Sequence, residues 1–200
     1  MNRVGQPRTM LAPSPRGFWN VPNTLTMGRL VLAIFVFALI SREYYGWALV
    51  LFAAAAVTDA LDGYFARLLG QDTAIGRQLD PLIDKVIVSG CYIYLVTVKD
   101  TGVMPWMVTA IVVRELLIQG LRSLLEGQGQ PFGARTAGKL KTVVQCASIM
   151  AVLWGLGLEP AAAARLVPFR DGLTYLAVAL TIYSGMVYIV IAWPRLHGEP

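Results

Sequence analysis

Charge is the scarcest property of this chain. Only 14% of its 200 residues are Asp, Glu, Lys or Arg, against roughly 25% in ordinary soluble domains. Hydrophobic residues make up 56%, and the mean hydropathy is +0.58. That shortage points to a membrane protein rather than a soluble domain with a large core. Cysteine occurs twice, at Cys91 and Cys146, each inside an apolar run. With no CxxC pair, no structural disulfide is expected, and both read as buried thiols. The lone histidine, His197, reads as exposed and idle. Residues 1–20 lack the apolar core of a cleavable signal peptide. They carry Arg3, Arg8 and Arg16 among three prolines. They read as a basic arm with Phe18 and Trp19 at headgroup level, or as a plain tail. No internal repeat, heptad run or low-complexity tract is present. The net charge of +5 fits membrane topology and lipid headgroups rather than nucleic acid.

What is abundant is apolar sequence in long runs. A spanning helix needs roughly 20 mostly apolar residues. Six segments meet that need, at about 22–41, 45–69, 79–98, 104–126, 137–156 and 172–193. Pro22 stands at a favourable helix start. The stretch 157–171, GLEPAAAARLVPFRD, holds two prolines and reads as a loop or short interfacial helix. The expected fold is all-α: an integral membrane bundle of six transmembrane helices over residues 21–196, behind the arm 1–20. Basic residues orient it. One side collects Arg3, Arg8, Arg16, Arg67, Arg77, Arg122, Arg135, Lys139, Lys141 and Arg195. The other holds Arg42, Lys99, Arg165 and Arg170. The positive-inside rule then sets both termini in the cytoplasm.

Against this apolar background, DALDGYFARLLGQDTAIGRQLDPLIDKV carries Asp59, Asp62, Asp80 and Asp84. Charges within such segments are expensive and usually mark function. Asp59 and Asp62 are three apart, and Asp80 and Asp84 four apart, so each pair shares a helix face. A loop of about ten residues makes the two helices antiparallel neighbours, aiming both pairs at one point. Four carboxylates there repel one another and demand protons or cations. Hard oxygen ligands on rigid helices suit Mg²⁺ or Mn²⁺, and a pair of such ions is the usual device for phosphoryl chemistry. Gly63 and Ala66 would let a bulky ligand approach the backbone. Gly76 would form a tight turn before the third helix. Arg67 would pair with a carboxylate or a phosphate. A plainer alternative has the aspartates capping helix ends and pairing with Arg67, Arg77 and Lys85. Asp72 reads as a solvated loop residue. A carboxylate-lined ion path in a cation-coupled transporter is a further alternative, although such sites tend to lie at the midplane on broken helices.

The pattern Asp59-x2-Asp62-Gly63-x2-Ala66-Arg67-x8-Gly76-x3-Asp80-x3-Asp84 resembles the signature of the CDP-alcohol phosphotransferases. The resemblance covers residues 21–146 and implies transfer of a phosphate-linked group from a CDP-linked donor to an alcohol, releasing CMP. It implies that Asp59, Asp62, Asp80 and Asp84 hold two divalent cations, with Asp84 also the general base. Gly63, Ala66 and Arg67 would cradle CDP, and Gly76 would shape the loop. The opening PNTLTMGR resembles the family's PNxLTxxR and adds Asn23 and Thr26 near the nucleotide. The resemblance also allows a homodimer.

The acceptor is read from the next basic cluster. Arg114 and Arg122 are eight apart, near two helical turns. Arg114 lies in an apolar run, and Glu115 beside it would partner a base. Then follow Arg135, Lys139, Lys141, Thr142 and Gln145. Such cations suit an anionic acceptor, a sugar or polyol phosphate. RELLIQGLR and GKLKTVVQ resemble the branch of the family that joins CDP-diacylglycerol to sn-glycerol 3-phosphate. On that resemblance, Arg114, Arg122, Lys139 and Lys141 bind the acceptor phosphate. A basic pocket for an inositol phosphate is the alternative within the family. Topology and headgroup snorkelling would account for the same cations without a ligand.

Overall fold

A computed structural model describes the backbone of residues 21–69, 74–127 and 136–196; the side chains of 21–26, 59–69, 74–81, 84, 126, 136–137, 139 and 195–196 lie outside the described set. The basic arm, Asp72, Arg135 and His197 therefore fall outside the described residues. Helices occupy nearly all of the rest, and no strand occurs among the described residues. They are α1 (Val21–Ser41), α2 (Tyr45–Leu69), α3 (Ala74–Leu95), α4 (Pro105–Gly127), α5 (Thr136–Leu156) and α6 (Pro160–Leu196).

Four of these match the expected segments to within a residue, and two do not. Helix α3 begins at Ala74 rather than near residue 79. A count of apolar residues starts late when the first turns are polar, and here they hold Arg77 and Gln78. The stretch 160–171, expected as a loop or short interfacial helix, is the first third of α6. Pro160 needs no N–H in a first turn, and Ala161 to Ala164 are the strongest helix formers. The Glu159 carbonyl accepts from the Ala162 and Ala163 amides, both at 2.9 Å. Pro168 forfeits one ladder bond without ending the helix. At 37 residues, α6 is roughly 55 Å long.

Helix α1 packs on both α2 and α3. Helix α5 lies between α2 and α6, and α4 sits against α6, with α3 touching α4 and α5. Phe52, Tyr92, Leu95, Met107, Ile149 and Leu153 fill the centre. Gly90 lies against the Phe37 ring where no Cβ would fit, so α1 closes tightly on α3. The Phe37 ring then stacks on Tyr94, centroids 5.1 Å apart and nearly parallel. Cys91 is buried, Cys146 half-buried, and both are free thiols.

The seam between α5 and α6 is polar and buried. Gln145 Nε2 donates to Thr181 Oγ1 at 2.9 Å. Thr174 Oγ1 spends its proton on the Arg170 carbonyl at 3.0 Å, so Ser148 donates to Thr174 at 2.9 Å. These pairs run in opposite chain order, which makes the helices antiparallel. Hydrogen bonds of this kind hold helices together where lipid removes the hydrophobic drive. The outside of the bundle is apolar: Phe35, Leu116, Val143, Tyr183 and Val190 are each more than half exposed. Among the described residues, one helix is long and apolar enough by composition to cross a membrane, over Pro160–Pro194 at mean hydropathy 2.0. Among the described residues, the other helices contribute shorter apolar stretches, such as Tyr45–Thr58 and Leu140–Leu156.

At the end where α3 turns into α4, Arg170 of α6 ties down the connection. Its Nη1 donates to the Asp100 carbonyl at 2.5 Å, and its Nε to Asp171 Oδ1 at 2.9 Å. Gly102, at φ 71°, supplies the left-handed residue that the turn requires. Arg170→Ala leaves the Asp100 carbonyl without this donor, at a cost of about 1–3 kcal/mol. The expected loss of Tm is roughly 2–4 °C per kcal/mol for a chain of this size, read by thermal unfolding in detergent. An unchanged Tm would show that the connection does not lean on this contact.

Candidate active site

Helical geometry places the four aspartates first. Asp59 and Asp62 stand in the second half of α2, and Asp80 and Asp84 in the first half of α3. Only residues 70–73 separate the helices, fewer than the ten expected, because Arg67 and Arg77 are both helical positions. A connection this short sets the end of α2 beside the start of α3. Gly76, expected in a tight turn, is instead within the first turn of α3. Gly63 and Ala66 follow Asp59 by four and seven residues on α2, one face of that helix. The side chains of Asp59, Asp62, Asp80, Asp84, Arg67, Asn23 and Thr26 lie outside the described set.

The next feature begins one residue beyond Asp84. A cavity of about 370 Å³ opens among α3, α4, α5 and α6, and Lys85, Arg114, Arg122, Lys141 and Glu115 line it. Three of the four expected acceptor residues thus come together. The fourth, Lys139, is on α5 with its side chain outside the described set. The cavity holds four cations and one carboxylate, an excess of three positive charges (four minus one).

Its wiring is specific. Glu115 and Lys141 are buried, at 5% and 3% exposure, and form an ion pair. Arg114 Nη1 sits 3.3 Å from both Glu115 oxygens. Lys85 Nζ donates to Gln119 Oε1, a neutral partner. The Arg114 guanidinium lies over the Tyr188 ring, 5.5 Å from its centroid, a geometry that stabilises a cation away from water. Gly185 permits this approach, since a Cβ there would stand 3.0 Å from Arg114 Cγ. The Nε atoms of Arg114 and Arg122 are buried with no acceptor among the described residues. A buried donor left unpaired costs about 1–3 kcal/mol, and an anion in the cavity would remove that cost. Guanidinium forks with lysine point charges are the usual means of holding a phosphate.

Three participants escaped sequence reasoning. Lys85 was read only as a counter-charge for the aspartates, although its place in an apolar run carried the same signal as Arg114. Gln119 and Tyr188 carried no signal, because only the packing of α4 on α3 and α6 brings them in. Arg29, the last residue of PNTLTMGR, is buried on α1 and lines a cavity of about 40 Å³ with Phe52, Ile83 and Cys146. Val88 and Thr142 line both cavities, so the two adjoin.

Residues 19–183 match the family model described as CDP-alcohol phosphatidyltransferase. The chain is similar to the CDP-diacylglycerol–glycerol-3-phosphate 3-phosphatidyltransferase of Bacillus subtilis, at 34% identity over 89% of this chain and 97% of that protein. It is 36% identical to the protein of that name from Cereibacter sphaeroides, over 84% of this chain and 76% of the relative. To the Pseudomonas fluorescens protein of that name it is 33% identical, over 90% and 93% respectively. The four cavity cations all fall inside the family match; Tyr188 lies beyond it.

Proposed function

The chain belongs to the CDP-alcohol phosphatidyltransferase family, and from that premise we propose that it moves the phosphatidyl group of CDP-diacylglycerol onto sn-glycerol 3-phosphate. The products are phosphatidylglycerophosphate and CMP. Family membership sets aside the ion-transporter alternative. The observation that carries the choice of acceptor is the cavity of four cations beginning next to Asp84, and the names of the relatives agree with it.

Asp59, Asp62, Asp80 and Asp84 suit two divalent cations, Mg²⁺ or Mn²⁺: they are hard oxygen donors, paired one turn apart on adjoining helices. When bound, such ions polarise the donor's phosphates and offset charge on the departing CMP. The remaining work falls to the chain. Gly63, Ala66, Arg67 and Gly76, with Asn23 and Thr26, hold the CDP moiety. Arg114, Arg122, Lys139 and Lys141 hold the acceptor's phosphate, and Lys85 joins them. The Arg114 and Arg122 Nε atoms then gain acceptors. Asp84 takes the proton from an acceptor hydroxyl. That oxygen bonds to the phosphatidyl phosphorus as the bond to the bridging oxygen breaks, and CMP leaves with that electron pair.

In this reading all six helices cross the membrane, with both termini and the active site on the cytoplasmic face. The apolar exterior and the interhelical hydrogen bonds support it, as does the crowding of basic residues at the aspartate end. Lipid tails can then stay in the bilayer while the headgroup chemistry meets water.

The test is CMP release from CDP-diacylglycerol by the purified protein. Release is expected with sn-glycerol 3-phosphate, and is expected to stop when a chelator removes divalent cations and return with Mg²⁺ or Mn²⁺. Release with inositol phosphate instead would keep the family and overturn the acceptor.

A further inference from the structure

A second cleft lies at the opposite end of the bundle from the aspartates, where α1 turns into α2. Its backbone is the starting point. The Glu43 amide donates to the Ile40 carbonyl at 3.0 Å, and the Tyr44 amide to Leu39 at 2.9 Å. This pair of bonds closes a helix through one left-handed residue, a place that glycine normally takes. Here a glutamate takes it, at φ 62°. A side chain in that conformation is strained, and strain of this kind gathers at ligand sites. The Glu43 carboxylate has no hydrogen-bond or ion-pair partner among the described residues.

The second observation is the surroundings of that carboxylate. Glu43 lines a cleft of about 560 Å³ with Tyr44, Tyr45, Trp47, Val50 and Leu156. It is the one charged residue in the lining, among three aromatic side chains. Aromatic faces and a carboxylate together select a cation. From the cleft an exposed apolar track continues along α2 through Trp47, Val50, Ala54 and Val57, spaced as one helix face. A soluble amine has no use for that track, whereas an acyl chain does. Aromatic residues at a membrane interface are common without any ligand, and that would account for Tyr44 and Trp47. It leaves unexplained the strained, unpartnered acid beside them.

We propose that this cleft binds the ammonium headgroup of a membrane lipid, with Glu43 as its counter-ion and an acyl chain along α2. The inference rests on the membrane placement proposed above and not on its catalytic half. The full-length protein in detergent micelles is titrated with short-chain phosphatidylethanolamine, phosphatidylglycerol of the same chains, and free ethanolamine. Tryptophan fluorescence reports binding, and Trp47→Phe identifies the signal. A saturable response to phosphatidylethanolamine is expected, weakened about tenfold in Glu43→Gln, the worth of one charge-assisted hydrogen bond. Glu43→Gly should raise the lipid-free Tm by relieving the backbone, while losing the further rise that the lipid gives the wild type. CMP release by Glu43→Gln should match wild type, so failure of this site and failure of the catalytic reading are told apart. Equal response to phosphatidylglycerol, an unchanged affinity in Glu43→Gln, or no saturable response would overturn the site. Free ethanolamine binding as tightly as the lipid would overturn the lipid and assign a soluble amine.

Discussion

Asp84→Asn should lower CMP release by about 10³-fold or more while leaving nucleotide binding measurable. The substitution exchanges one oxygen for nitrogen and keeps the shape. On the proposed mechanism, it removes a negative ligand from the cation site together with the base that takes the hydroxyl proton. Loss of a positioned base alone typically costs about 10²–10⁴ in rate. Asp84 stands mid-helix in α3, flanked by Ile83 and Lys85, so an uncharged isostere should not disturb the fold. Asp59, Asp62 and Asp80 remain, and with them a weakened hold on the CDP moiety. The measurement is single-turnover CMP release beside equilibrium binding of labelled CMP. A rate near wild type would move the base elsewhere. Loss of nucleotide binding with no further loss of turnover would make Asp84 a ligand only. Asp72→Asn is the matching control, with an unchanged rate expected.

Lys141→Ala should raise the KM for sn-glycerol 3-phosphate by about 10–100-fold and leave that for CDP-diacylglycerol nearly unchanged. One hydrogen bond to a charged group is worth about 1.5–3 kcal/mol, and 1.4 kcal/mol is tenfold. The loss has two parts. The phosphate loses a cation, and Glu115 loses the ion pair that occupies it. With Arg114 left as its ion-pair partner at 3.3 Å, the carboxylate turns part of its charge on the incoming phosphate. Adding Glu115→Gln should therefore recover part of the affinity lost in Lys141→Ala. Groups in direct contact are non-additive in this way. If the two substitutions simply add, Glu115 is not coupled to the acceptor site. If the KM of the lipid rises instead, the cavity serves the donor.

How much of this was legible in the sequence varies by residue, and the reasons are physical. Asp59, Asp62, Asp80 and Asp84 stood out as candidates because charges in apolar helices are rare and helical spacing fixes which of them share a face; all four fall on helices as expected, and their side chains lie outside the described set. Arg114, Arg122 and Lys141 could be read as a cation cluster on the same grounds, and they do line one cavity. Helix boundaries followed where apolar runs and helices coincide, as in α1, α2, α4 and α5. They failed where a helix continues into polar or proline-containing sequence, at Ala74 and at Pro160. Lys85 was visible as a counter-charge for the aspartates, but the sequence could not tell that Gln119 also faces it across α3 and α4. Glu43 was illegible altogether. Nothing in SREYYG announces a left-handed backbone at a glutamate, because a residue type biases φ without dictating it.

Helix α6 has a mechanical consequence. Its rod of roughly 55 Å exceeds by about 25 Å the hydrocarbon layer it would cross. Helices α1 to α5, at 21 to 25 residues, have far less to spare. On the proposed six-span placement, when the bilayer thins or thickens, lipid can slide along α6 at little cost, whereas the other five must tilt. Arg114 rests on Tyr188 near one end of that rod and Arg170 grips the α3–α4 connection near the other. The rod is thus a fixed post against which the rest of the bundle adjusts, and reconstitution into lipids of different chain length should change tilt before it changes turnover.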